Sequence, residues 1–373
     1  VSFAHQWKPD IIGLSIMTGD QKKFRYQVAL LHRNKKWNPK IILGGPHVTF
    51  FPDDCTWADM IIPGEAENEI SELLGSNHRY PDLDSIPWPE RGDFPYMKIR
   101  DFVSSRGCPF NCSYCFNDQW NKLFPDLGKV RTRSVKDVVN EIATVRPQFA
   151  YFQDSCFAVS MRWMLDFADL YPRKAGGIPY HCHLRPDQVT EDRARLLAKS
   201  GCYSTRIALE TASDRLRQLI NRPHSTNEQT YEAAANLKRY GIKLMIQNIL
   251  CLPTSTLDED LATLDANIIA QPDYAWCSIF VPYPRTVLGN LCVEEGWYNG
   301  DYEDITDSFF DQSVLNISEQ YREQTYYLQK CFALCVKAQE IPKPEELTYD
   351  LFPFLIHRLM RKMGDKILYG GII

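Results

Sequence analysis

The sequence predicts an α/β protein: a partial doubly wound parallel sheet, then a partial (βα)6 barrel, then a C-terminal helical region. Three observations predict it. Short apolar runs alternate with stretches of helical periodicity from residue 10 to about residue 290. A proline-rich segment at 76–100 interrupts the alternation. Beyond residue 300, acidic loops are followed by helical patterning alone.

The run Asp10–Met17 is short and apolar, the pattern of a strand buried in a parallel sheet. A helix is predicted over Lys22–Lys36. Lys40–Pro46 (KIILGGP) reads as a second strand closing on a glycine turn, and Asp59–Glu65 as a third, followed by a helix through Leu74. Strand, helix, strand at this spacing is the doubly wound pattern. Three strands are few for a closed core. With Val1 in place of an initiator methionine and an abrupt end in Ile367–Ile373, this predicts a fragment of a longer protein. Pro81, Pro87, Pro89 and Pro95, with Gly75 and Gly92, rule out a continued helix or central strand, so 76–100 reads as a linker.

Six strands are then predicted: Asp101–Ser105, Ala150–Gln153, Tyr180–Leu184, Ser204–Leu209, Lys243–Leu250 and Trp276–Val281. Helical segments such as Ser134–Val145, Glu191–Lys199 and Asn227–Tyr240 lie between them. Six successive βα units suggest a barrel open on one side. Ser318–Gln339 and Glu345–Met363 predict a helical cap. The expected domains are 1–75, the linker 76–100, a barrel over 101–295 and the cap over 296–373.

Composition narrows the function. The 373 residues are 44% hydrophobic and 24% charged, ordinary for a globular protein. A formal net charge of −5 leaves no basic footprint for nucleic acid. No apolar run approaches bilayer length, and the opening residues do not read as a secretory signal. The expected partner is a small-molecule substrate, with no nucleic acid and no membrane. Twelve cysteines are scattered through apolar segments rather than set out as a disulfide framework. Cys156, Cys182, Cys202, Cys251, Cys277 and Cys292 read as buried free thiols, which implies a reducing cytoplasm.

The segment Cys108-Pro-Phe-Asn-Cys112-Ser-Tyr-Cys115 follows the first predicted barrel strand, at the end of a barrel where active sites are built. Three thiolates at spacings of four and three suit one corner of a [4Fe-4S] cluster and leave one iron free for a small molecule. A structural zinc site would need a fourth ligand. The nearest candidates are Asn117 and Asp118, and no further cysteine or histidine follows until Cys156. Three structural cysteines are the other alternative, although Gly107, Pro109 and Asn111 mark a turn rather than a core strand.

With Tyr114 just before its third cysteine, the triplet resembles the radical S-adenosylmethionine (SAM) superfamily over roughly residues 100–290. In that family SAM chelates the open iron and is cleaved to a 5′-deoxyadenosyl radical. Phe149–Asp154 resembles the second strand, whose end helps to hold the methionine moiety. Arg206–Thr211 resembles the fourth strand with its Glu-Thr pair, Asn221-Arg222 the Asn-Arg that follows, and Lys243–Pro253 the fifth strand, which contacts adenine. Cys251-Leu-Pro-Thr-Ser-Thr256 departs from the family's Gly-Leu-Pro-Gly-Glu-Thr at both glycines and the glutamate. The resemblance places Tyr114, Asp154, Arg185, Glu210, Arg222 and Gln247 near SAM. His181 and His183 alternate on one strand and so share a face; they read as partly buried histidines or, less simply, as a metal site. Trp276, Phe280, Tyr283 and Trp297 read as core, or as the lining of an apolar pocket.

Pro9–Ser15, Gly44-Gly-Pro-His47 and Gly64-Glu-Ala-Glu67, in that order, resemble the second half of a Rossmann-like cobalamin-binding domain that precedes the barrel in one radical SAM subfamily. Phe280-Val-Pro-Tyr-Pro-Arg-Thr286 resembles that subfamily's Pro-Tyr-Pro-Gly-Thr, with Arg285 for glycine. The resemblance implies cobalamin near Ser15, Thr18, Gly44, Gly45, Gly64 and Glu65, and His47 reads as a loop residue rather than a cobalt ligand. A degenerate half-domain that binds no corrinoid is the alternative. The implied activity is cobalamin-dependent methylation of an unactivated carbon, fed by a flavodoxin or ferredoxin and sensitive to oxygen. A radical SAM cyclase, oxidase or rearranging enzyme is the second reading, and a non-catalytic metal-binding scaffold the third.

Overall fold

The computed structural model describes residues 2–33, 37–91, 97–301, 304–305 and 308–364. Lys35, Lys36, Gly92, Pro95 and Ile367–Ile373, which enter the predicted helix, linker and chain end, lie outside the described residues. The chain forms two compact units, Val1–Pro87 with Ile305–Asp307, and Trp88–Asp304 with Ser308–Ile373. No helix among the described residues is long and apolar enough to cross a membrane.

In the first unit three parallel strands pair in the order β1 (Ile11–Ser15), β2 (Lys40–Gly44), β3 (Met60–Ile61). The helix Gln21–His32 connects β1 to β2. Ile16, Val28, Leu31, Ile41 and Leu43 form the core between sheet and helix. The third strand is shorter than predicted. Ile62 N still donates to Leu43 O, but Pro63 has no N–H with which to continue the ladder.

The second unit holds a six-stranded parallel sheet. Its strands are β4 (Ile99–Phe102), β7 (Phe149–Phe152), β8 (Tyr180–Leu184), β9 (Cys202–Glu210), β10 (Lys243–Leu250) and β11 (Tyr274–Ile279), adjacent in chain order. Successive strands in sequence order with helical crossovers are the winding of a barrel, open between β4 and β11. Crossover helices begin on a serine or threonine whose side chain accepts the N–H three residues on, as at Ser134, Thr190 and Thr226, whereas the helix Phe116–Leu123 begins on Cys115. Alternate residues face opposite ways. Ala150, Phe152, Cys182, Ile207, Leu209 and Ile246 pack outward against the helices in the main core. Their neighbours, among them Tyr151, His183, Arg206, Ala208 and Gln247, line the half-buried inner face.

Two expectations are corrected here. The predicted strand Asp101–Ser105 is divided. β4 ends at Phe102, and Ser105–Gly107 (β5) instead forms an antiparallel ribbon with Val130–Thr132 (β6). The chain leaves the barrel sheet because Asp154 takes the Ser104 N–H and hydroxyl, while Arg133 N donates to Ser104 O. The C-terminal helices Glu319–Ala338 and Phe352–Met363 do not sit over the barrel mouth. Leu328, Cys331, Phe332 and Leu355 pack on Cys277, Ile279 and Leu264, so they flank the outer side of the last strand.

Candidate active site

The cysteine loop begins at Gly107, where φ is +89° and an added Cβ would stand 2.1 Å from the Lys129 carbonyl oxygen. No other residue fits without moving the β5–β6 ribbon. Ser113 holds the middle of the loop: its N–H donates to Ile220 O at 3.1 Å, its hydroxyl to Leu219 O at 2.8 Å, and its carbonyl accepts from Leu288 N at 2.8 Å. Asn221 Nδ2 donates to Asn111 O at 2.9 Å. Cys108 and Cys112 are buried, and Cys115, half-buried, is the N-cap of the helix Phe116–Leu123. Gly107→Ala is expected to cost on the order of 2 kcal/mol and to lower iron loading, read by thermal denaturation and iron analysis.

This donor set suits a cluster. Among the described residues no three His, Cys, Asp or Glu side chains close on a single ion. The cysteines of a cubane each bond a different iron, so they stand farther apart than the ligands of one zinc. Cys156 is no fourth ligand, since its thiol donates to Gln188 Oε1. Burial pushes the Cys108 thiol up to about 11 and also raises Cys115, so iron must displace the protons when it binds.

Beside the loop lies a triad of buried Glu210 and Arg222 with half-buried Tyr114. Glu210 ends β9 in a left-handed conformation, φ +67°, where the β9–β10 register slips by one residue. The Tyr114 hydroxyl donates to Glu210 Oε1 at 2.6 Å, and Arg222 Nη1 lies 3.4 Å from the same oxygen. Arg222 also donates to Ala208 O and to Ser225 Oγ. Burial alone would lower the Arg222 pKa, but Tyr114 and Glu210 beside it hold the guanidinium above its ordinary value. Burial, then the Glu210 charge, raises Tyr114.

Three further candidates lie away from this triad, two of them with their charges already matched or bonded. Asp154 is 1% exposed, and its carboxylate accepts from Ser104 N, Ser104 Oγ and Ser105 Oγ. It ties the chain just before the cysteine loop to the end of β7, a positioning contact rather than a ligand-facing one. Burial raises its pKa, against the bonds from Ser105 and Ser104. Arg185 pairs with Asp187 through Nε at 3.0 Å and Nη2 at 3.1 Å, and its Cζ lies 3.8 Å from the Phe110 ring centroid. That carboxylate lies two residues on in the same chain, so the Arg185 charge is already matched. Gln247 is half-buried on the inner face of β10, opposite Trp276 on β11.

A cavity of about 170 Å³ adjoins Tyr114, lined by Ile249, Trp276, Phe280, Val281 and Tyr283 among others. Three of the four aromatic residues predicted for an apolar pocket line it, whereas Trp297 packs against a neighbouring core cluster. The motif departures at Cys251, Thr254 and Arg285 have a common geometry. All three have positive φ, +57°, +63° and +63°, at the positions where the family patterns have glycine. The turns keep a glycine conformation without the glycine. Thr254 is exposed and β-branched, so Thr254→Asn is expected to stabilise by about 0.5–1 kcal/mol, measured by chemical denaturation.

In the first unit Ser15, Thr18, Gly44, Gly45, Gly64 and Glu65 gather at the C-terminal ends of β1, β2 and β3. This is the edge at which open parallel sheets bind ligands. Gly45 has φ +93°, and a Cβ there would meet Ile16 N and Ser15 Oγ at 2.7 Å. Gly64 N donates to Thr49 Oγ1 at 2.9 Å. His47 lies in the short helix Pro46–Phe50 and is 3% exposed, which corrects the expected loop position. Its Nδ1 is 3.2 Å from Thr18 Oγ1 and its Nε2 3.0 Å from Asp54 Oδ2. Both ring nitrogens are committed, so the strand-end edge fits a corrinoid held without His47 on cobalt.

Residues 102–266 match the family model described as the radical SAM superfamily, and residues 1–74 match the B12 binding domain. An uncharacterized methyltransferase of Pyrococcus horikoshii is 25% identical, the match covering 78% of this chain and 72% of the relative. The anaerobic magnesium-protoporphyrin IX monomethyl ester cyclase of Rubrivivax gelatinosus is 26% identical, over 75% of this chain and 58% of that protein. The radical SAM methyltransferase TsrM of Kitasatospora setae, solved with cobalamin and a [4Fe-4S] cluster, shares the fold with a TM-score of 0.64 at 16% identity, covering 79% of this chain and 69% of that one.

Proposed function

We propose, for a chain that belongs to the radical SAM superfamily and carries a B12 binding domain, that it methylates an unactivated carbon of a small-molecule substrate. The observation that carries this reading is the three-cysteine loop, whose Tyr114 bonds the buried Glu210–Arg222 pair. When bound, the cluster with SAM supplies a 5′-deoxyadenosyl radical and cobalamin a methyl group. Cys108, Cys112 and Cys115 hold the iron. Arg222 and Tyr114 fix Glu210 through Oε1, which leaves Oε2 to accept from a SAM ammonium or hydroxyl. Gln247 and the apolar cavity beside Tyr114 bound the adenosyl side and keep water from the reacting atoms. Ser15, Thr18, Gly44, Gly45, Gly64 and Glu65 hold the corrinoid at the strand ends. The domain limits we assign are those read from the sequence, 1–75, 76–100, 101–295 and 296–373, and the electron donor is a flavodoxin or ferredoxin.

Anaerobic purification of the full-length protein with a corrinoid assay tests the reading, followed by product analysis with SAM and a reductant. Bound corrinoid, with S-adenosylhomocysteine formed beside 5′-deoxyadenosine, is expected. 5′-Deoxyadenosine alone supports the second reading, a cyclase-type enzyme, which the similarity to the Rubrivivax cyclase favours. A colourless protein with no paramagnetic signal on reduction leaves only a scaffold.

A further inference from the structure

The inner face of the barrel carries a polar row outside the residues assigned above to the cluster and SAM. His183 and Arg206 are paired across the β8–β9 register, and Tyr151 stands on β7 beside them. Arg206 Nη2 lies 2.8 Å from His183 Nδ1, and His183 Nε2 lies 3.2 Å from the Tyr151 hydroxyl. A guanidinium only donates. His183 Nδ1 is therefore the acceptor, its proton sits on Nε2, and that N–H donates to Tyr151. The Tyr151 hydroxyl proton is left to point elsewhere. Next to it His181 stacks on Tyr151 with ring centroids 4.6 Å apart and meets Ser204 Oγ at 2.7 Å through Nδ1. His181 Nε2 and Arg206 Nε are buried with no hydrogen-bond partner.

The charge of this row is unbalanced. No carboxylate among the described residues lies within ion-pair distance of Arg206. Glu210, on the same strand, is committed to Tyr114 and Arg222. Burial, then the Arg206 charge, lowers His181 to about 4 and His183 to about 3, so both rings are neutral near pH 7. The row thus carries a single positive charge. Burial lowers the Arg206 pKa against the more distant Glu210 charge, and a half-buried guanidinium with no ion-pair partner is costly to keep unless a ligand supplies one.

We propose that Tyr151, His183 and Arg206 form a subsite that binds a carboxylate of the substrate, with Arg206 matching its charge and the Tyr151 hydroxyl donating to it. The proposal rests on reading the barrel interior as the substrate chamber of a radical SAM enzyme. One positive charge suits a carboxylate better than a dianionic phosphate. We assign this carboxylate to the substrate and not to SAM. Arg206 lies four residues before Glu210 on β9, roughly 13 Å along the strand from the cluster end.

The test is histidine-labelled NMR of the full chain with its cluster loaded, with sodium acetate as probe and His183→Gln and His181→Gln for assignment. Acetate is expected to shift the His183 and His181 resonances saturably, while acetamide and sodium chloride of equal ionic strength do not. Inorganic phosphate should bind more weakly, and saturating SAM should leave the acetate response in place. Arg206→Gln should weaken the response at least about tenfold, as for the loss of a charged hydrogen-bond donor. Arg206→Lys, which keeps the charge if the Gln variant folds poorly, should retain part of it. An equal response to acetamide, tighter phosphate binding, loss of the response with SAM, or an undiminished Arg206→Gln response overturns the proposal. The reduced-cluster paramagnetic signal is recorded on the same samples. Its absence in the unmodified protein would sink the radical SAM reading, while the acetate titration would still decide the subsite.

Discussion

Cys112→Ala is expected to give a colourless protein whose SAM cleavage falls by at least about a thousandfold, to the background without cluster. In the proposed cluster each of the three thiolates would close the coordination of one iron. Removing the middle one would leave two anchors and a second open metal corner. The fold should survive, because the loop is held independently by Gly107, by Ser113 through Ile220, Leu219 and Leu288, and by Asn221. Iron and sulfide analysis, visible absorbance and circular dichroism on one preparation separate loss of cluster from loss of fold. Cys156→Ala is the control: its thiol donates to Gln188, so that variant should stay brown. A Cys112→Ala protein with full iron content would end the assignment of the triplet.

The second large effect concerns stability. Arg222→Leu is expected to destabilise the protein by about 3–5 kcal/mol, because it leaves Glu210 buried without its cation. Arg222 is 3% exposed and Glu210 7% exposed, so water cannot replace the lost partner. The same change removes the bonds to half-buried Ala208 O and buried Ser225 Oγ. Glu210→Gln should cost less, since an amide oxygen still accepts from Tyr114 and Arg222. Urea unfolding of the single and double variants gives the coupling. If Arg222→Leu/Glu210→Gln is no less stable than Arg222→Leu, the unpaired charge is the cause. A change within about 0.5 kcal/mol for Arg222→Leu, the range typical of exposed positions, would mean that the Glu210–Arg222 pair is not buried as described.

Several features were legible from local pattern. The cysteine spacing, the six apolar runs and the proline-rich segment each depend on residues a few positions apart, and chemistry at that range is written in the chain. The left-handed turns at Cys251, Thr254 and Arg285 were visible in outline as three lost glycines, although their retained backbone geometry was not. Asp154 and Arg185 stand out in the sequence as polar residues at strand ends. Their partners, Ser104 and Ser105 in one case and Asp187 and Phe110 in the other, belong to folded loops that no periodicity describes.

The sequence by itself determined the class of fold and the cysteine triplet proposed to bind the cluster, because hydrophobic period and ligand spacing are short-range properties. The tertiary structure alone decided which polar groups meet. Tyr114 and Glu210 are 96 positions apart, and their bond exists because a bulge near the end of β9 turns the carboxylate toward the cysteine loop. The Tyr151–His183–Arg206 row depends on the registers of three strands, one of them shifted by an irregularity at Tyr180 and His181. A one-residue slip in a strand sends every side chain to the opposite face. Register is set by the whole packed sheet, so these contacts follow from the assembled core rather than from any stretch of chain.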